Sequence, residues 1–145
     1  MTNATFGPAL KQKSAYKFWV KDHVRFTDLD ALGHVSAVRT NEFFNGVRAA
    51  LFHRAIEKWP YAQQLPVLKW SVIQHEQESG FPDDLDVGLV IEAFGTTSVT
   101  AVMGVFNASG CIALSRNVFV FIDAETRLST PPNEQIKQNL RAFAG

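Results

Sequence analysis

At 145 residues the chain is sized for one domain, 1–145, and can cover about 70% of the surface its unfolded form would expose without a disulfide or metal staple. A hydrophobic share of 46% against 19% charged, with 12 Phe, excludes an intrinsically disordered chain. Lys plus Arg and Asp plus Glu are both 14, so the formal charge is zero and argues against field-driven binding to nucleic acid or an anionic membrane.

Residues 1–14 are polar around Gly7 and Pro8 and read as a loose, flexible arm. Their order, MTNATFGPALKQK, lacks the basic-then-apolar arrangement of a secretory leader. The run KFWVKDHVRFT at 17–27 predicts a strand on Phe18, Val20, Val24 and Phe26. DLDALGH at 28–34 predicts a loop. Ser36 is a helix N-cap, although no Glu completes a capping box. Residues 38–58 then predict a long helix, with Phe44, Val47, Leu51 and Ala55 on one stripe and Phe43 and Ala50 widening it. Trp59-Pro60 stops it, because the residue before a proline avoids the helical region.

Four strands follow, over 67–79, 85–94, 98–106 and 111–123, separated by turns at 80–84, 95–97 and 107–110. A short tail helix after Pro132 would pack through Ile136 and Leu140. The order is strand, long helix and a meander of four antiparallel strands, an α+β chain in which the helix must bury its stripe against the sheet. One helix cannot cover both faces. The excess on the second face (Val90, Phe94, Val102, Phe106, Phe119, Phe121) predicts a partner surface, most simply a symmetric dimer.

Several chemistries find no support. His23, His53 and His75 lack metal-ligand spacing. There is no G-x-S-x-G elbow and no Gly-rich nucleotide loop. The one cysteine, Cys111, reads as a small buried apolar residue, and a reducing, cytoplasmic home is expected. No apolar run approaches the ~18 residues of a membrane span, so no membrane contact is expected. The 28–34 loop carries two carboxylates, Asp28 and Asp30, which can cap their own turn or the helix behind it.

The run VRFTDLDALGHV at 24–35, followed by NEFFNGVRAALF at 41–52, resembles the hot-dog-fold acyl-CoA thioesterases of the 4-hydroxybenzoyl-CoA thioesterase-like group. HEQESGFPDDLDVGLVIEAFGTTSVTAVMGVFNASG and ALSRNVFVFID fit the same group's turn and later strands, so the likeness runs over about 16–123. It implies a hot-dog fold, a curved five- to six-stranded antiparallel sheet around one long central helix. It also implies a homodimer joined edge to edge, or a homotetramer, with the site between subunits. The implied activity is hydrolysis of an acyl-CoA or related acyl thioester, with CoA as part of the substrate and no metal or other cofactor.

Carried over by position, Asp30 is the catalytic carboxylate, as general base or as nucleophile. The backbone N–H of Ala37 polarises the thioester carbonyl. A helix N-terminus offers free N–H donors to the charge that develops there. His34, Ser36, Thr40, Arg39 and Arg116 are the expected substrate-binding set, with Arg39 and Arg116 for the CoA phosphates. Asp28 is expected to bind loop N–H groups, and Glu42 to be a solvated or salt-bridged helix residue. Many relatives read GHVNN and then a Tyr; here Ser36 and Ala37 replace the Asn pair and Thr40 the Tyr. The 95–98 turn, basic in some relatives, is uncharged. The alternatives are a non-catalytic acyl-thioester-binding domain and, further off, a hot-dog hydratase or dehydratase.

Overall fold

The central strands alternate apolar residues on both faces, and the chain folds so that each face receives its own cover. The computed structural model describes residues 5–145. In chain order it contains β1 (Phe18–His23), α1 (Ala37–Ala55), β2 (Gln64–His75), β3 (Asp84–Phe94), β4 (Ser98–Asn107), β5 (Gly110–Asp123) and α2 (Glu134–Arg141). They form one five-stranded sheet, order β1-β3-β4-β5-β2, with every neighbouring pair antiparallel.

The four-strand meander is therefore corrected. Only β3, β4 and β5 are sequential neighbours, and β2 lies beyond β5 at the far edge. The free side of β3 is taken by β1, and the link from β2 to β3 is no tight hairpin: Glu76 and Gln77 donate their N–H groups to Ile112 O and the chain then crosses to the 28–36 loop. As an edge strand β2 tolerates Pro66 inside it. The first strand is shorter than expected and ends at His23. Asp28 accepts the Arg25 N–H at 2.8 Å and tightens residues Phe26–Asp28 into a 3-10 turn in place of a ladder.

Ser36 caps α1, its Oγ accepting the Arg39 N–H at 3.2 Å. The helix buries Phe43, Phe44, Val47, Leu51, Phe52 and Ala55 against β3, β4 and β5. It stops at Ala55, short of Trp59-Pro60, where Ile56 turns extended; Lys58 then takes a left-handed φ of 64°, and the Trp59 ring lies 6.0 Å from Phe52. The tail helix forms as expected: Asn133 caps it, Ile136 and Leu140 are buried, and Asn139 Nδ2 donates to Ala55 O at 2.9 Å, closing the end of α1.

The loose arm expected over 1–14 is also corrected; its residues 1–4 lie outside the described residues. From Thr5 the segment lies on the sheet face opposite α1 as two 3-10 turns, Pro8–Lys11 and Lys13–Ala15. Phe6 and Tyr16 pack there with Val90, Val102, Phe106, Cys111 and Leu114. Gly88 and Gly104 face each other in register and make the room: a Cβ on Gly88 would meet Tyr16 Cβ at 2.9 Å, and one on Gly104 would meet Tyr16 Oη at 2.8 Å. Tyr16 Oη donates to Leu10 O at 2.5 Å. Burial pushes the Cys111 thiol up to about 11, in keeping with a packing role.

This cover removes the sequence argument for a partner on the second face. Val90, Val102 and Phe106 lie under the arm, Phe119 and Phe121 belong to the α1 side, and of the six only Phe94 stays exposed. Arg116 is the rivet. Its side chain is 5% exposed and binds Glu92 through Nε (2.9 Å) and Nη2 (2.8 Å). Nη1 donates to Thr5 O at 2.7 Å, and the guanidinium sits 4.8 Å from the Phe6 centroid. Arg116→Ala should therefore lower stability, by about 1.5–3 kcal/mol for the lost charge-assisted hydrogen bonds. Urea unfolding checks this, and limited proteolysis should then cut first within residues 5–15.

Candidate functional site

The loop between β1 and α1 folds as a small hairpin. Leu29 and Val35 form an antiparallel bridge, and the Ser36 N–H donates to Asp28 O at 3.0 Å. At the tip the Asp30 N–H donates to His34 O at 2.8 Å and the Gly33 N–H to Asp30 O at 3.0 Å, with Gly33 at φ 78°, a conformation that favours glycine.

The two aspartates of this loop have opposite surroundings. Asp28 is buried. Its Oδ2 accepts the Arg25 N–H, and its Oδ1 lies 3.7 Å from Arg39 Nε. It is a structural anchor, as the loop pattern suggested. Asp30 is exposed at the tip. Its Oδ1 accepts the N–H groups of Leu32 (2.9 Å) and His34 (3.3 Å), which turns the carboxylate back over the hairpin. Oδ2 takes no hydrogen bond from the described residues.

Ala37 begins α1 at the base of the same hairpin. The Arg39 N–H is used by Ser36 Oγ and the Thr40 N–H by Ser36 O, so the first donors of the helix, at Ala37 and Val38, have no intrahelical acceptor. Ala37 is exposed, and the positive end of the helix dipole lies here. No hydrogen bond joins Asp30 to Ala37; the His34–Ser36 edge of the hairpin connects them. Thr40 is buried and its hydroxyl donates to Ser36 O at 3.1 Å.

A groove of about 280 Å³ runs beside the hairpin, between His34, Val35 and Thr40 on one side and residues 75–79 on the other. His34 Nε2 stands 3.1 Å from Glu78 Oε2. The Val35 N–H donates to Ser79 O at 2.9 Å, and Ser79 Oγ to Asp83 Oδ2 at 2.7 Å. Glu78, Ser79 and Asp83 were not singled out from the sequence. Reading 67–79 as one strand hid the point where the chain leaves the ladder, and the density of acids in HEQES was the available signal. Glu76, which also lines the groove, pairs with Lys11 at 2.8 Å, and bonds from Lys11 and Gln74 hold its carboxyl below the usual range. Among the described residues no three His, Cys, Asp or Glu side chains gather where a metal ion would sit.

The two cations expected at the site part company. Arg39 is beside it, with Nη1 on Glu42 Oε2 at 2.9 Å, so Glu42 is salt-bridged as expected. Arg116 is not: it projects from the opposite sheet face, where Glu92 and the arm enclose it. This corrects its assignment to the CoA phosphates. Sequence periodicity could not see the arm that covers it. Phe26, Leu32, Val38 and Phe81 form an exposed apolar rim around the hairpin, with Phe26 and Phe81 edge to face at 6.0 Å.

Asp83 binds the hairpin to the sheet. Hydrogen bonds from Ser79, then Asn107 and the Gly80 N–H, hold its carboxyl below the usual range, and its O accepts the Val24 N–H. A depressed folded-state pKa contributes stability above the unfolded value, about 3.9, and loses it as pH falls through the folded value. Asp83→Ala should reduce the amide-exchange protection of Val24 and Val35 at neutral pH. Its stability deficit in urea should shrink as pH drops below about 4.

A family model described as the thioesterase-like superfamily matches residues 24–140, from the start of the hairpin segment into α2. No curated protein matches the chain. Among solved structures, the PA5185 protein of Pseudomonas aeruginosa superposes with a TM-score of 0.84 at 20% identity, over 92% of this chain and 95% of that one. A thioesterase from Thermus thermophilus, complexed with coenzyme A and Zn, gives 0.78 at 23% identity, over 87% and 98%. The SAV2348 protein of Staphylococcus aureus, in complex with CoA, gives 0.79 at 14% identity, over 87% and 82%. At these identities the likeness is one of fold: an antiparallel sheet with a central helix, the hot-dog arrangement expected from the sequence.

Proposed function

The chain belongs to the thioesterase-like superfamily, and from that premise we propose that it hydrolyses an acyl thioester, with acyl-CoA as the substrate class and CoA as the leaving group. The observation that carries the reading is the hairpin, which lies within the family match and presents an exposed Asp30 carboxylate and the free N–H end of α1 on one connected edge. The CoA-bound relatives support the choice of carrier. The narrower 4-hydroxybenzoyl-CoA thioesterase-like grouping rests on the D-x-D-x-x-G-H run at 28–34.

In this mechanism the thioester carbonyl lies against the Ala37 N–H, which meets the negative charge that grows on oxygen as the carbon becomes tetrahedral. By the general-base route Asp30 takes a proton from water, the water oxygen bonds to the acyl carbon, and the C–S bond breaks as the thiolate leaves and is protonated. By the nucleophilic route an Asp30 oxygen bonds to the acyl carbon and expels the thiolate; water then cleaves the anhydride and restores the carboxylate. Backbone donors on Asp30 Oδ1 orient the group in either case. In this reading His34 with Glu78 and Thr40 line the acyl end of the groove, Ser36 holds the helix start beside it, and Arg39 is the cation at hand for CoA phosphates, its charge partly offset by Glu42 and Asp28.

The working unit in this reading is a homodimer or homotetramer in the cytoplasm. The free edge of β2, with Val67 and Leu68 exposed, and the apolar rim around the hairpin support assembly. Among the described residues no helix is long and apolar enough to cross a membrane.

Asp30→Asn keeps an oxygen for the Leu32 and His34 N–H groups but is neither base nor nucleophile. Hydrolysis of acyl-CoA, followed by thiol release, should fall by about 10²–10⁴ with the fold unchanged. Near-normal turnover would remove Asp30 from the mechanism. Ala37→Pro deletes the N–H at a position where proline suits a helix, so its kcat should drop about 10²–10³-fold while Ala37→Ser stays near wild type. Equal rates in the two folded variants would remove the backbone donor.

A further inference from the structure

Arg48 sits on α1 with only 8% of its surface exposed. Its Nη1 donates to Asn117 Oδ1 at 2.7 Å and its Nη2 to Asn45 Oδ1 at 2.9 Å. Both acceptors are neutral amides, and among the described residues no carboxylate forms an ion pair with this guanidinium. Arginine does not shed its proton in proteins, and buried charges are ordinarily paired. Arg116, equally buried, has Glu92. Desolvation with no acid to offset it pushes the Arg48 pKa down.

The guanidinium borders a groove of about 180 Å³ between α1 and the β2 edge. Asn45 stands beside it, and Phe52, Trp59 and Phe119 form apolar walls with Leu68, which lies on the β2 edge proposed above for assembly, so in the assembled protein the groove opens beside that seam. The Phe52 ring lies 5.0 Å from Phe119 and 6.0 Å from Trp59, and the guanidinium is 5.9 Å from the Phe119 centroid. A cation at one end of a small aromatic slot matches one ligand chemistry, an anionic fork joined to a short apolar body. A bare inorganic anion would leave the rings unused, and a nucleotide diphosphate exceeds the space.

We propose that this groove is a carboxylate-binding site, in which Arg48 takes the carboxylate of a small organic acid and the aromatic walls hold its apolar or aromatic body. The acid has two sources of the same chemistry: the far end of an acyl group whose thioester lies at Ala37, or a free carboxylic acid. Ala37 and Arg48 stand about three turns apart on one side of α1, which is the span an acyl chain from the first source would have to cover along the helix. The acyl source rests on the hydrolase reading; the binding site does not.

The test is calorimetric titration of the full chain with benzoate and with benzamide, its uncharged counterpart, for wild type, Arg48→Lys and Arg48→Gln. Arg48→Gln keeps an N–H donor for Asn117 while removing the charge. Benzoate should bind wild type at least tenfold more tightly than benzamide does. Arg48→Gln should weaken benzoate by about 10–100-fold, with Arg48→Lys between. The wild-type comparison decides even if a variant fails to fold.

A second arm measures kcat/KM for acyl-CoA esters of equal length ending in carboxylate or in methyl. A wild-type preference for the carboxylate that disappears in Arg48→Gln assigns the acyl source; no preference, with benzoate binding intact, assigns the free acid. If no hydrolysis occurs at all, the titration still stands. Equal binding of benzoate and benzamide by wild type, or undiminished benzoate binding by folded Arg48→Gln, overturns the proposal. So does a wild type that ignores benzoate while Arg48→Gln lowers its mass in light scattering, since a second copy would then supply the countercharge.

Discussion

Everything in this molecule follows from a sheet that is apolar on both sides and has one long helix. Val87, Leu89 and Ile91 of β3 face α1, while Val90 faces away, and β4 divides in the same manner between Met103 and Val102. Each apolar side chain left in water forgoes roughly 1.5–3 kcal/mol, so neither face can stay bare. The helix takes one. The N-terminal segment takes the other, with Phe6 and Tyr16 as its apolar contacts and paired glycines, Gly88 and Gly104, clearing space for the rings. That second cover leaves the apolar rim of the hairpin and the β2 edge among the surfaces still open to a partner.

Committing α1 to the sheet determines where its N-terminus emerges. Its buried stripe begins at Thr40, so the helix N-terminus emerges at the end of the sheet beside the link between β2 and β3. The hairpin that delivers the chain there holds two carboxylates two residues apart and gives them different tasks. Asp28 is spent on Arg25 and Arg39 inside the fold. Asp30 is held from behind by two N–H groups and faces water. The base or nucleophile proposed above needs such an oxygen free of hydrogen bonds, and two N–H groups on Oδ1 orient it.

Three arginines that look alike in the sequence meet three electrostatic situations. Arg39, half-exposed, shares its charge between Glu42 and Asp28. Arg116 is buried but fully answered by Glu92 and a backbone carbonyl. Arg48 is buried among amides and rings. Burial alone therefore does not say what a charge is for; the partner within reach does.

The sequence by itself determined whatever depends on neighbours along the chain. Ser36 and Asn133 cap their helices because an oxygen at that position meets N–H groups three residues on. The period-two runs at 85–94, 98–106 and 111–123 became β3, β4 and β5 within a residue of the expected ends. The D-x-D-x-x-G-H run marked the hairpin, and Gly33 makes its turn. Tertiary structure alone decided which strands became neighbours, that β2 would sit beside β5, and that the polar-looking arm would bury Phe6 and Tyr16. It also decided that Arg116 would face away from the site and that Glu78, Ser79 and Asp83 would join it. These outcomes share one cause: each depends on contacts between residues distant in the chain, which side-chain type and local period do not encode.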